Sequence, residues 1–474
     1  MSGRPEIIEF AQWDRRYVEL QACGLSEPSY GGPLRRHVTD GDHRLPKLRM
    51  DNSAAALRLW NFLLSEETRL RESVAEGKKL VGTMKDLGTV PVMVYALDNL
   101  VAFYPDGAWW LPCLLENGEG LLEIADSLGV DDSFCPVRAM LGAFVGRNRF
   151  PIPGLLTCSV GATCDDFSSI AQRIESLGFP IFWWEIPHRR PPDASEAGVT
   201  LPGGFQATYG QVELVALELD RFRRALERYS GRTLDDARLA EGIRRSNRVR
   251  GLLAELRGVC FSADPCPMPA LEMMIAEMLA MHFCSDYTET VLVLEELLGE
   301  VRRRVDGRLG VLPVGAAKVF WVNPVADLRA MNFLEEAGGR ICGTDYMFGH
   351  AMDLIPTDVR PLEALARMAM ADPMVGSPVD RASHICREMR RYGAEGVIVS
   401  RIPGASHCAR EAAILGRAIR REIDCPVLEI EVPSLIDAMA PTMRTRLEAL
   451  VETIRERRER QRGVRRIERE RETP

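Results

Sequence analysis

Two stretches far apart in this chain follow one pattern, and that repetition limits the folds open to it. The first reads CDDFSSIAQRIESLGFPIFWWEIP from Cys164, the second CAREAAILGRAIRREIDCPVLEIEVP from Cys408. Each has a strand-like run before it (PIPGLLT; AEGVIVSRIP) and a loop of Gly, Ala and Ser or Thr leading to the Cys. A segment of helical period follows, then Pro180 or Pro426, a short apolar strand and a closing Pro. The order spells strand–loop–helix–strand with a thiol where the helix begins. Units of this kind build open parallel sheets, whose ligands sit outside the carboxyl ends of the strands. A helix N-terminus favours the thiolate, the form that ligates metal. Two such units can bring cysteines from distant parts of the chain to one site.

With 474 residues the chain can bury a full core and divides into two or more domains. Its net charge of -8 argues against a general nucleic-acid binder. The longest apolar runs, such as PVMVYAL and EGVIVS, are too short to span a bilayer. MSGRPEIIEF at the N-terminus has no apolar signal core, so a cytoplasmic protein with no membrane or nucleic-acid partner is expected. Twelve cysteines are many for that compartment, where disulfides are disfavoured, and they bring metal ligation or redox chemistry forward. A free Cys is also an ordinary small core residue, so most of the twelve are expected to be structural, among them Cys23, Cys113, Cys260, Cys284 and Cys386. No CxxC pair occurs, which removes the zinc ribbon, the thioredoxin motif and the simple ferredoxin run. Any cluster here takes its ligands from separate segments.

Along the chain, residues 1–55 read as an arm or subunit contact, rich in Gly, Pro and His. Residues 56–210 form a first α/β lobe, opening with one amphipathic helix over 56–78 and including KKLVGTM and VPVMVYAL as strand-like runs. Residues 211–305 are helical almost throughout, with Gly231 as a stop and Thr233 as an N-cap ahead of Asp235 and Asp236. ALEMMIAEMLAMHF is a Met-rich helix, read as core rather than a cofactor box. Residues 306–440 form a second α/β lobe: a strand AAKVFWVNP, a helix from Asp327 to Ala337, the strand-like GRICGTDY, further helices, and the second repeat. Residues 441–474 form a charged Arg/Glu helix, read as a solvated face because it carries no aromatic residue to stack on bases. The fold class is thus α/β, two Rossmann-like lobes with parallel sheets plus an inserted helical region and terminal helices.

A third thiol joins the repeat pair: Cys135, in SFCPVRAMLGAF, a Cys–Pro about thirty residues before Cys164. With the Thr-Cys-Asp of residues 163–165, the stretch FRRALERYSGRTLDDARLAEGIRRSNRVRGLLAELR, the run AMNFLEEAGGRICGTDYMF and the unit at Cys408, the sequence resembles the 2-hydroxyacyl-CoA dehydratase and benzoyl-CoA reductase family from about Lys78 to Arg446. The resemblance implies two flavodoxin-like lobes with helical elements. It also implies one [4Fe–4S] cluster held by three cysteines, on this sequence Cys135, Cys164 and Cys408, with one iron lacking a Cys ligand. It implies a related second subunit, an ATP-hydrolysing iron–sulfur activator that injects an electron, and an acyl-CoA thioester reduced to a ketyl radical. The reaction is then either loss of a 2-hydroxyl group or reduction of an aromatic thioester. Where the dehydratases repeat Cys-Asp at the last ligand, this chain has Cys408 followed by Ala409, and the stretches SRIPGASHC and DLRAMNFLEEAGG lean toward the aromatic reductases.

The chemistry is consistent with these assignments. Soft thiolates select iron–sulfur clusters over hard cations, and an iron left open can bind a substrate oxygen as a Lewis acid. Cys158 is the rival to Cys164; Cys342 is a weaker one, and Cys266 reads as a loop residue. His407 and Ser406, beside Cys408, are candidate acid/base or sulfur-bonding groups. His350 and Asp345 are minor candidates for approaching the site from the second lobe, and Arg138 and Arg401 are candidates for meeting CoA phosphates. Two other functions stay open: a reductase of small molecules carrying a double-cubane cluster, and a non-catalytic subunit that keeps the fold.

Overall fold

The structure is a computed structural model that describes residues 7–9, 48–51, 53–85, 88–107, 119–281, 283–323, 325, 327–432 and 437–472; the side chains of Cys284, His407 and Cys408 lie outside that description. So do Cys23, Cys113 and most of the 1–55 arm, of which β1 (Ile7–Glu9) and β2 (Arg49–Asp51) form an antiparallel pair.

Two helices, α1 (Ala54–Leu64) and α2 (Glu66–Ala75), occupy the stretch expected as one. The break falls at Ser65, whose hydroxyl donates to the Phe62 carbonyl at 3.0 Å and so competes with helix continuation. β3 (Lys79–Met84) then leads to α3 (Val90–Tyr95), β4 (Leu100–Phe103), α4 (Glu119–Ser127), α5 (Ala139–Gly146), β5 (Leu155–Gly161), α6 (Asp165–Ser176) and β6 (Ile181–Ile186). VPVMVYAL is therefore a helix and not a strand. Pro91 suits its first turn, and its apolar side chains are buried against α8. There Gly242 leaves the Val92 carbonyl room, since a Cβ at that glycine would lie 2.7 Å from the oxygen. Close tertiary packing overrides the strand preference of valine.

The hairpin β7 (Gly198–Thr200) and β8 (Gln206–Thr208) precedes the helical region. This comprises α7 (Tyr209–Ser230), α8 (Asp236–Ser262), α9 (Ala270–Met278) and α10 (Tyr287–Asp306). A capping box of Thr208 and Gln211 starts α7, and Gly231 ends it in the left-handed conformation at φ 73°. The N-cap of α8 is Asp235, accepting from the Arg238 N–H at 2.9 Å, two residues beyond the expected Thr233. The second lobe runs β9 (Ala317–Val322), α11 (Arg329–Glu336), β10 (Gly339–Asp345), α12 (Pro361–Met370), α13 (Pro378–Tyr392), β11 (Gly396–Arg401), α14 (Ser406–Glu422) and β12 (Val427–Glu431), followed by α15 (Ala440–Glu472).

The first sheet has the order β4–β3–β5–β6 and the second β10–β9–β11–β12, with every neighbour parallel. Numbered within each lobe, both sheets read second–first–third–fourth. The repeat seen around Cys164 and Cys408 thus extends to whole lobes of flavodoxin-like topology, and in each the thiol follows the third strand. The order reverses between the first and third strands, which is where such sheets bind ligands. Helices α7 and α8 bind the lobes together. Leu219, Phe222 and Leu239 share one core with Val92 and Met93 of the first lobe and Leu365 and Met368 of the second. Among the described residues no helix is long and apolar enough to cross a membrane.

Candidate functional site

The carboxyl ends of the two sheets face one another. On the first-lobe side, β5 ends at Gly161, whose φ of 95° and lack of Cβ let the Ile186 carbonyl approach; an added Cβ would lie 2.3 Å from that oxygen. Thr163 follows at φ 87°, a strained conformation for a β-branched residue. Cys164 is then the N-cap of α6. Its thiol is buried, and burial pushes it up to about 11, with the Asp166 and Phe167 N–H groups and Lys85 only partly offsetting the rise. The helix terminus alone therefore does not make this cysteine a thiolate, contrary to the sequence expectation: desolvation outweighs the dipole. A metal would have to displace the proton.

Cys135 is half-buried and extended, just ahead of a short turn at Pro136–Arg138. The Arg138 side chain lies inside the protein, donating to the Phe134 carbonyl at 3.3 Å and to Asp126 at 3.4 Å. It splints the Cys135 loop and is not free for a CoA phosphate. Arg401 is half-exposed at the end of β11, 3.6 Å from Glu431.

On the second-lobe side, Cys408 falls in the first turn of α14, two residues after its start at Ser406. Two contacts bring this turn to the other two thiol segments. Ser406 donates its N–H to Asp166 Oδ2 at 2.8 Å and its hydroxyl to Asp166 Oδ1 at 2.9 Å. Asp166 is the second residue of α6, so the starts of the two cysteine-bearing helices are tied directly together. Gly404, at φ 78°, packs on the Cys135 loop so closely that a Cβ would lie 2.4 Å from the Phe134 carbonyl and 2.7 Å from that of Asp132. Ile402, Ala405 and Cys164 share one apolar cluster, and Cys135 packs against it. The structure thus brings the segments of Cys135, Cys164 and Cys408 to one place. The hydroxyl proton of Ser406, considered from sequence as a donor to cluster sulfur, is committed to Asp166. Among the described residues no group of three His, Cys, Asp or Glu stands in metal-ligating arrangement; the Cys408 and His407 side chains lie outside them.

The other cysteines sit differently. Cys158 is inside β5, fully buried, its Sγ 3.4 Å from the Ser159 carbonyl, and is pushed up to about 12 by burial. Cys342 and Cys386 are likewise pushed up to about 12. Cys266 lies in a loop but is buried, its Sγ 3.2 Å from the Met268 carbonyl.

Asp345, at the end of β10, accepts from Arg381 Nε at 2.8 Å. The same guanidinium donates to Glu411 at 2.8 Å and to Asn323 Oδ1 at 2.8 Å. Glu411 is three residues after Cys408, so this buried knot anchors the start of α14 from below. His350 is buried, its Nδ1 3.4 Å from Asp372 Oδ2 without hydrogen-bond alignment. Both His350 and Asp345 line a cavity of about 270 Å³ shared with Asp353, His384 and Arg387.

Sequence reasoning passed over Lys85. It follows β3 directly, has φ 66°, and is buried, with Nζ 2.8 Å from Ser168 Oγ on α6. Burial lowers its pKa, and the ionisable groups around it, Cys158, Cys164, Asp165 and Asp372, oppose that shift when they carry negative charge. Its counterpart after the first strand of the other lobe is Asn323, also left-handed at φ 70°. The equivalence shows in the matched order of the two sheets; the repeat around Cys164 and Cys408 begins too late in each lobe to carry it. Two hydroxyls, Thr163 Oγ1 just ahead of Cys164 and Ser159 Oγ inside β5, are buried with no hydrogen-bond partner among the described residues. The buried Cys164 thiol, the partnerless Thr163 hydroxyl next to it in the chain and the Lys85 ammonium held on α6 suit an anionic, sulfur-rich group.

The chain is thus built of two parallel α/β lobes with thiols at matched loops beside the switch points, the position at which open parallel sheets bind ligands. The family described as 2-hydroxyglutaryl-CoA dehydratase, D-component, matches residues 89–454, and the chain belongs to that family. The match places it among components of 2-hydroxyacyl-CoA dehydratase-type enzymes. No curated protein is similar enough to match.

Proposed function

We propose that this chain is the [4Fe–4S]-binding subunit of a radical acyl-CoA enzyme, with Cys135, Cys164 and Cys408 as ligands. It would work with a related second subunit and receive electrons from an ATP-dependent iron–sulfur activator. The observation that carries the reading is the double hydrogen bond of Ser406 to Asp166 together with the seating of Gly404 on the Cys135 loop. Once bound, the cluster supplies one-electron chemistry and an iron open to a substrate oxygen. The protein's own part is positional. Asp166 fixes α14 against α6, Arg381 and Glu411 brace α14, and Arg138 holds the Cys135 loop. Cys158 fits less well as a ligand, being inside a strand, while Cys164 stands at the loop that faces the other lobe. Dehydration of a 2-hydroxyacyl-CoA is the favoured reaction because it is the one in the matched family's description.

The test is anaerobic purification followed by iron and acid-labile sulfide analysis. About four irons per chain are expected, since one cubane contains four. Cys408→Ser and Cys164→Ser should lose most of the iron, whereas Cys386→Ser and Cys158→Ser should keep it. A colourless, iron-free chain would overturn the reading.

A further inference from the structure

Lys85 occupies the first-strand end of its lobe, where Asn323 stands in the other. Asn323 is neutral and satisfied: Oδ1 accepts from Arg381 at 2.8 Å and Nδ2 donates to the Ser400 carbonyl at 3.0 Å. Lys85 holds the same left-handed backbone but puts a cation there, only 6% exposed. An ammonium has three protons to donate. Ser168 Oγ takes one at 2.8 Å, and among the described residues no carboxylate lies within ion-pair distance. A buried charge without a counter-ion is costly, and a non-glycine residue held at positive φ adds strain. Such a residue persists where something present in the working protein compensates it.

What faces the ammonium names the compensation. Its one hydrogen-bond partner, Ser168, lies on the helix that Cys164 caps, and the groups around it are Cys158, Cys164, Asp165 and Asp372. Cys158 stays protonated in its strand, and Cys164 is a proposed ligand. Three thiolates outweigh the charge of an oxidised [4Fe–4S] core by one unit, and reduction by one electron makes the excess two. We propose that Lys85 is the buried counter-ion of that cluster and that its charge sets how readily the cluster takes up an electron. This rests on the cluster reading above. A fixed cation favours the more negative, reduced form and raises the potential, as net charge and hydrogen bonding at a cluster do generally. The hydrogen bond to Ser168 ties the ammonium to the helix that Cys164 caps.

The experiment uses the full chain and its Lys85→Met, Lys85→Gln and Lys85→Arg variants, purified anaerobically. Iron content, a potentiometric titration followed by electron paramagnetic resonance, and thermal unfolding of the iron-free proteins are read in parallel. The neutral variants should keep their iron. At the wild-type midpoint, their reduced-to-oxidised ratio should fall at least tenfold, a shift of about 59 mV to more negative potential for a one-electron couple. Lys85→Arg should restore the wild-type value. Without iron, Lys85→Met should melt at or above wild type, because it removes an uncompensated buried charge. Iron-loaded Lys85→Met with an unchanged midpoint would overturn the role of Lys85 and leave the cluster reading standing. An iron-free Lys85→Met that cannot fold would also overturn it, by showing that the lysine serves the fold. A wild-type chain without iron would bring down both.

Discussion

At the scale of single residues, Asp166 does the most with the least notice in the sequence. As an acid in the first turn of α6 it suits the helix N-terminus, a role that names no partner in the other lobe. In the fold both its oxygens accept from Ser406 across the lobes, at 2.8 Å and 2.9 Å. Hydrogen bonds to a charged group are worth about 1.5–3 kcal/mol when one partner is removed. Asp166→Ala should therefore lower stability by about that amount in urea unfolding and reduce iron retention. Asp166→Asn, which keeps one acceptor, should lose less of both. A variant that loses stability and retains iron fully would mean that the lobes hold their cysteines together without this bond. Cys135, Cys164 and Cys408 were legible from sequence because each stands before or within a helical start after a loop. Their convergence was not, because it depends on Gly404 and Asp166, whose partners lie hundreds of residues away.

At the scale of elements, helix starts carry an unexpected pH sensitivity. Glu272, in the first turn of α9, accepts from the Asp51 N–H at 2.8 Å and from Trp60 Nε1 at 3.1 Å; Glu335, near the end of α11, accepts from the Ala270 N–H at 2.7 Å. Both are fully enclosed, and burial raises them to about 7 and about 8, each from an ordinary 4.5. The folded state thus holds protons that the unfolded chain releases above about 4.5. The stability these groups contribute is present in full below that value and is lost as pH rises through 7 and 8. Glu272→Gln and Glu335→Gln keep the accepting oxygen and remove the titration. The denaturant midpoint of wild type should fall between pH 5 and 8.5 relative to theirs; parallel profiles would show that neither carboxyl is protonated in the fold. Element types were mostly readable from period and breakers. VPVMVYAL was not, because its valines read as strand while burial against Gly242 of α8 makes it a helix.

At the scale of the whole molecule, the ligand set spans both lobes, so a bound cluster would cross-link them as well as serve chemistry. Metal binding that requires the folded site adds to folding free energy. Removing iron from the anaerobic protein with a chelator should lower Tm by several degrees, and the loss should be largest in Asp166→Ala, where the cluster would be the principal tie between the helix starts. Equal melting of loaded and iron-free protein would show that a bound cluster does not tie the lobes together. The sequence by itself determined the two-lobed parallel architecture, because a period of two followed by a helical period and a proline stop is a local signal, and it occurs twice. It determined the family for the same reason, since order and spacing survive in one dimension. The tertiary structure alone decided that the two thiol loops face each other through Ser406 and Asp166, that Arg138 is internal, and that a buried lysine bonds to the helix that Cys164 caps. Those are contacts between residues far apart along the chain, and no local preference encodes which distant side chain will fill a given place.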